Sequence, residues 1–234
     1  MKRIVIALYL LAAATLPAFP PTAGAQTFSE GVAAYEAGDY DAALAILKPL
    51  AEANDPAAQQ RLGVMYYLGR GVAQDLERAV LWTRRAAELG NVKAQNNYAY
   101  LLFWGEGAER DRPAAVEWYT RAANAGDAAS QYTLGTLHAF GHGVRADNDA
   151  AARWFGMAAA RGHAEAQLYL GVMYEQGTGV ARDLVRAQVF YILAAAAGEQ
   201  EAARNRDFNA RNLSPAQQAE AERLAAEWKA KQDG

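Results

Sequence analysis

Residues 69–75 read GRGVAQD: two glycines one residue apart, a valine, and an aspartate at position 75. A Gly-x-Gly ahead of a helix can cradle a phosphate on backbone N–H groups, as dinucleotide-binding loops do, or it can simply turn the chain. A dinucleotide loop calls for a preceding strand and a third glycine, which here falls on Gln74. What precedes the loop is instead an apolar stripe at helical spacing: Ala58, Leu62, Met65 and Tyr66. A shift of 36 residues explains the loop. Gly69 recurs as Gly105, Gly141 and Gly177, and Gly71 as Gly107, Gly143 and Gly179. Asp75 recurs as Asp111, Asp147 and Asp183, whereas Gln74 becomes Arg110, Ala146 and Arg182. The loop is a turn used four times.

The rest of the unit repeats in the same register. Ala79 returns as Ala115, Ala151 and Ala187, and Trp82 as Trp118 and Trp154, with Phe190 in the fourth copy. The Ala86-Ala87 pair and Gly90 return likewise, without insertion, over residues 58–201. Each copy reads as two helices. Gly69 ends the first by supplying a left-handed cap, which a residue with a Cβ resists by about 1–2 kcal/mol. Asp75 starts the second as N-cap, and in the second copy Pro113 falls in the first turn, where proline costs little. The second helix carries Ala79, Trp82 and Ala86 on one face, and Gly90 ends it. The alanines are expected to leave room for each Trp to insert between neighbouring helices. Such a pair cannot bury its apolar face alone, so the copies must stack into a solenoid.

These residues resemble the Sel-one-like repeat (SLR) family, relatives of the tetratricopeptide repeats. The fourth copy, AQLYLGVMYEQGTGVARD, follows that family's pattern almost throughout. Ordinary tetratricopeptide repeats run at 34 residues with a shorter turn and fit less well. The resemblance implies an all-α, right-handed α/α solenoid whose first helices line its concave face. The four units are 58–93, 94–129, 130–165 and 166–201. Residues 26–57 read as a partial, tetratricopeptide-like helix pair, with a tight turn at Gly38-Asp39. Residues 202–234 read as a capping region. There Ala202–Leu213 is polar and breaks the pattern, and Ser214-Pro215-Ala216-Gln217 is a capping box ahead of a last helix.

The first 25 residues read as a cleaved secretory signal: basic Lys2-Arg3, an apolar stretch from Ile4 to Phe19, and a small-residue exit at Ala23-Gly24-Ala25. Removing the two basic residues takes the formal net charge from −3 to −5, which disfavours nucleic acid and anionic lipid as main partners. The chain has no cysteine, so neither a lipid anchor on Cys nor a disulfide framework is available. Alanine is about a quarter of the residues, which suits closely packed helices. The expected location is periplasmic or secreted, with no span retained after cleavage.

Catalytic chemistry finds little support. The three serines, Ser29, Ser130 and Ser214, sit in no Gly-x-Ser-x-Gly or Ser-x-x-Lys setting, and no acidic pair at glycosidase spacing is identifiable. His138 and His142 are four apart, but Gly141 ends the helix between them and no carboxylate completes a ligand set, so no metal and no cofactor are expected. His163 follows a helix end, where a cation is mildly favourable. Some SLR proteins have been discussed as β-lactam-binding, but those are cysteine-rich.

In a repeat array the repeated positions are taken up by packing, so binding falls to the positions that vary. The series from Leu68 runs Trp104, Phe140, Gln176; from Tyr67 it runs Phe103, Ala139, Glu175; from Gln60 it runs Asn96, Tyr132, Leu168. Copies two and three thereby bring Tyr100, Phe103, Trp104, Tyr132 and Phe140 toward one region. These aromatics read as a groove for a protein or peptide partner in the cell envelope, or as a locally repacked core where Ala99 and Leu102 depart from the pattern. The resemblance implies a non-enzymatic adaptor, with roles elsewhere in envelope signalling, exopolysaccharide control and host interaction. A glycan or peptidoglycan module using the same aromatics is the alternative. Expressed in a Gram-negative host, the mature chain is expected to begin at Gln26, as N-terminal sequencing would read; a chain that keeps Met1 contradicts export with cleavage.

Overall fold

The computed structural model describes residues 27–233, and within them all regular structure is helical. The signal segment, 1–25, lies outside the described residues. An N-terminal pair, α1 (Phe28–Glu36) and α2 (Tyr40–Glu52), leads into four further pairs. These are α3 (Pro56–Leu68) with α4 (Leu76–Glu88), α5 (Val92–Trp104) with α6 (Arg112–Asn124), α7 (Ala128–Phe140) with α8 (Asn148–Ala160), and α9 (Ala164–Gln176) with α10 (Leu184–Ala196). Two more helices follow: α11 (Gln200–Ala210) and α12 (Pro215–Asp233). Each helix packs on the next from α1 to α11, and α12 folds back onto α10, giving an α/α solenoid. The polar stretch after Glu199 thus continues as a helix, with Ala202 and Asn209 buried.

The turn residues behave as the repeat demands. Gly69, Gly105, Gly141 and Gly177 all cap their helices in the left-handed conformation, at φ +67, +76, +70 and +72. Asp75, Asp111, Asp147 and Asp183 each accept a backbone N–H three residues on, at 2.9, 3.0, 2.9 and 3.0 Å. The first helices are capped with equal regularity by Asp55, Asn91, Asp127 and His163. His163 therefore begins a helix as much as it follows one. Its Nδ1 lies 3.4 Å from the Ala166 N–H and 3.3 Å from the Glu165 carboxylate, both at the start of α9. Ser214 and Gln217 form the anticipated capping box, at 2.9 and 3.3 Å.

The second glycine of each loop sets how the copies stack. A Cβ on Gly71 would lie 2.6 Å from the carbonyl oxygen of Tyr40, the first residue of α2. Gly107 and Gly179 meet Leu76 O and Asn148 O more closely still, and Gly143 lies against Arg112. Each loop thus packs on the start of the second helix one copy back. A glutamine repeat ties the other end of each step. Gln59, Gln95, Gln131 and Gln167 donate Nε2 to the carbonyls of Ala51, Ala87, Ala123 and Ala159, eight residues earlier, at 3.0, 3.3, 2.8 and 3.2 Å. These bonds join the end of one unit's second helix to the first helix of the next.

Within a copy the tightest packing does not use the repeated tryptophan. Trp82, Trp118 and Trp154 are only half-buried, and the Arg85 and Arg121 guanidinium groups lie over the first two rings at 4.9 and 4.3 Å. The residue after each tryptophan points inward instead: Thr83, Tyr119, Phe155 and Tyr191 are all buried. They press on small residues of the first helix. A Cβ on Gly135 would come within 2.6 Å of the Phe155 ring, and one on Gly171 within 2.7 Å of the Tyr191 ring.

Gly107 and Gly90 both have positive φ, but a Cβ on Gly90 would meet no atom within 4 Å. Gly90→Ala is therefore expected to cost about 1–2 kcal/mol through its backbone alone. Gly107→Ala is expected to cost about 3 kcal/mol or more, because the stack must also part. Urea unfolding of the two variants measures the difference; equal costs would show that the loop carries no stacking constraint.

Candidate partner-binding face

The first helices of the first three complete repeats present two adjacent cavities. One, of about 230 Å³, lies between α3 and α5 and is lined by Val64, Tyr67, Leu68, Thr83 and Tyr100, among others. The next, of about 270 Å³, lies between α5 and α7. Tyr100, Phe103, Trp104 and Tyr132 line it, with Tyr119 from α6. Tyr100 belongs to both and stands as the ridge between them.

Four of the five aromatics singled out in the sequence therefore share one cavity, but with different standing. Phe103 is only 6% exposed and belongs to the core, where the Arg112 guanidinium covers its ring at 4.9 Å. Trp104, the next residue, is 57% exposed, with its ring edge-on to Phe103 at 5.2 Å and 6.4 Å from Tyr100. Tyr132 is held from behind by the His163 ring, stacked at 4.6 Å, and by Phe155. Phe140 is not among the cavity's lining residues. It is exposed at the end of α7, 6.0 Å from the His142 ring, which does line the cavity.

Phe140 belongs to another arrangement. Leu68, Trp104 and Phe140 each stand last in their helix, immediately before the capping glycine, and all three are exposed. They form an apolar ladder with the period of the repeat, and the fourth rung is Gln176. Large apolar side chains exposed at the same position of successive copies are candidates for an interaction site.

Glu106 fastens the ridge. Its carboxylate accepts from the Tyr67 hydroxyl at 2.7 Å and lies 3.4 Å from that of Tyr100. The bond to Glu106 raises the Tyr67 phenol well above the usual tyrosine range, with burial adding to it, so Tyr67 stays a protonated donor. Burial likewise pushes up Tyr119 beneath the second cavity. Sequence reasoning missed Glu106, because it occupies the variable position between the two loop glycines and its partners lie in two different copies. His138 and His142 form no metal cluster with acidic side chains, and no group of three potential ligands occurs among the described residues. No helix among the described residues is long and apolar enough to cross a membrane.

Comparison with known proteins places the repeats. The model of the Sel1 repeat matches residues 56–91, 92–127, 128–163 and 164–199, each match beginning with the first residue of a first helix. A Sel1 repeat protein from Oxalobacter formigenes is 34% identical, with a TM-score of 0.71 over 76% of this chain and 70% of that one. A protective antigen present in uropathogenic Escherichia coli strains, displaying an SLR fold, is 32% identical with a TM-score of 0.73. That match covers 85% of this chain and 46% of the antigen, so the chain spans about half of the antigen's length. No curated protein matches the chain.

The contrast between neighbouring rings is testable. Phe103→Ala is expected to destabilise the protein by about 3–5 kcal/mol, as for other buried phenylalanines. Trp104→Ala is expected to stay within about 1 kcal/mol of the parent, since the ring is mostly in water. Thermal and urea unfolding read both; a large loss with Trp104→Ala would mean that its ring is core.

Proposed function

The chain belongs to the Sel1 repeat family, and on that premise we propose that it is an exported scaffold holding a peptide segment of an envelope protein across its first-helix face. Sel1 repeat proteins generally act as protein-interaction scaffolds. The observation that carries the reading is the ladder of Leu68, Trp104 and Phe140. Three large apolar side chains stand in water at one register, beside cavities that could receive a partner's side chains. On this reading the first-helix face lines the inside of the superhelix, where a segment touches several copies at once.

The chemistry suits recognition rather than catalysis. Tyr100 and Trp104 offer broad apolar area with a polar edge at low conformational cost. The Glu106 bonds hold the ridge in place before a partner arrives, so less ordering is needed on binding. Phe103, Tyr119 and the Tyr132 ring give the second cavity a rigid floor. A partner's apolar side chain entering there would be covered by Trp104, which is the kind of anchored, desolvated contact that dominates interface energetics.

The test is crosslinking in the intact envelope from a photoreactive residue at position 140, with capture compared between the parent and Trp104→Ala. The expected result is a discrete protein adduct in the parent and capture reduced about tenfold or more by Trp104→Ala, at unchanged melting temperature. Capture unaffected by Trp104→Ala and Tyr100→Ala together would overturn the reading. So would saturable binding of the purified protein to cell-wall glycan with no protein adduct, which would assign the same aromatics to sugar stacking.

A further inference from the structure

A larger cavity lies elsewhere, on the second-helix side, where α12 folds back across α10 toward α8. It is a cleft of about 740 Å³, within the range of small-molecule sites. Its apolar wall is a run of three rings. Tyr174 stacks on Phe190 at 5.7 Å, and Trp228 of α12 meets Phe190 edge-on at 5.2 Å. Leu170, Val189 and Leu224 continue that surface.

The α8 side of the cleft is shaped by residues peculiar to the third copy. Ala152 stands where the first two copies have Val80 and Val116, and Gly156 where they have Arg84 and Thr120. Gly156 lies inside α8, where glycine is among the least favourable residues. Unlike Gly135 or Gly171, it has no packing reason to be there: a Cβ would meet no atom within 4 Å. The residue that costs helix stability is the one that leaves the cleft open.

The rim carries three cations and two anions. Arg153, Arg186 and Lys231 line the cleft with Asp149 and Glu227. Glu227 is already paired with Arg223, and Asp149 sits in the first turn of α8, where the helix dipole favours an anion. Arg186 is held by the Tyr174 hydroxyl at 3.2 Å and by Asp183. Arg153 and Lys231, which also line the cleft, are exposed.

We infer that this cleft binds a single-chain amphiphile with an anionic head, of the long-chain carboxylate class. The methylene chain lies along Tyr174, Phe190 and Trp228, and the carboxylate meets Arg153 and Lys231 at the rim. A folded protein partner would need an interface much larger than this cleft offers. The site is independent of the proposed partner face, which uses α3, α5 and α7.

Sodium dodecanoate, titrated into the purified protein below its micellar concentration and followed by calorimetry, tests the inference. The expected result is one-to-one saturation, at least about tenfold tighter than for dodecyltrimethylammonium, which has the same chain and the opposite charge. Gly156→Leu should fill the cleft and weaken dodecanoate about tenfold or more, with the melting temperature unchanged or raised. Arg153→Glu with Lys231→Glu, both at exposed positions, should abolish the preference for dodecanoate and keeps the test valid if Gly156→Leu misfolds. No saturable binding, equal binding of the two amphiphiles, or full affinity in a folded Gly156→Leu protein would overturn it.

Discussion

One contact organises the solenoid: the second glycine of each loop lying against the first turn of the second helix one copy earlier. No side chain fits between Gly107 and the Leu76 carbonyl, nor between Gly179 and that of Asn148. This close approach fixes the translation from one copy to the next. The glutamine bonds then fix the other end of the same step, since Gln131 reaches the Ala123 carbonyl only in that register. Each such carbonyl also accepts a backbone N–H of its own turn, that of Gly126 in the case of Ala123, so the glutamine bond adds about 0.5–1.5 kcal/mol to a step that the loop contact has already set. Solenoid stability is carried by such nearest-neighbour terms rather than by one central core.

That division of labour frees the rest of the surface. Positions that set the step cannot vary, and positions that do not touch the step can. The Leu68, Trp104, Phe140 ladder lies immediately beside the first loop glycines, where its side chains remain exposed rather than taken up by packing. Glu106 occupies the residue between two constrained glycines, where any side chain is tolerated, and it joins Tyr67 of one copy to Tyr100 of the next. On the opposite flank the third copy gives up bulk at Ala152 and Gly156, and α12 roofs the resulting gap. Both candidate surfaces therefore arise where the repeat departs from itself on an unchanged frame.

Much of the frame was legible in advance because its residues are chemically identical in every copy. Gly69, Asp75, Ala79 and their counterparts announce helix ends and starts by conformational requirement alone. The inward series Thr83, Tyr119, Phe155, Tyr191 was not legible, since its members share no chemistry. What unites them is the small residue opposite, as Gly135 faces Phe155 and Gly171 faces Tyr191. The repeated tryptophan drew attention in their place, yet its ring is only half-buried, and in the first two copies it lies under an arginine. The candidate site was half legible. Five aromatics were found by their variation, but Phe103 and Trp104 are adjacent in sequence and differ entirely in exposure.

The sequence by itself determined the period, the helix pairs, their caps and the need to stack, because these follow from local backbone preferences repeated at a constant interval. Tertiary structure alone decided which aromatic faces water and which lies in the core. It alone brought Glu106 between two tyrosines, and it alone laid α12 across α10 to make a cleft. The physical reason is that burial and cavity volume depend on the rotation between neighbouring helices, which no single segment encodes. GRGVAQD measures the repeat; the packing of its second glycine places everything else.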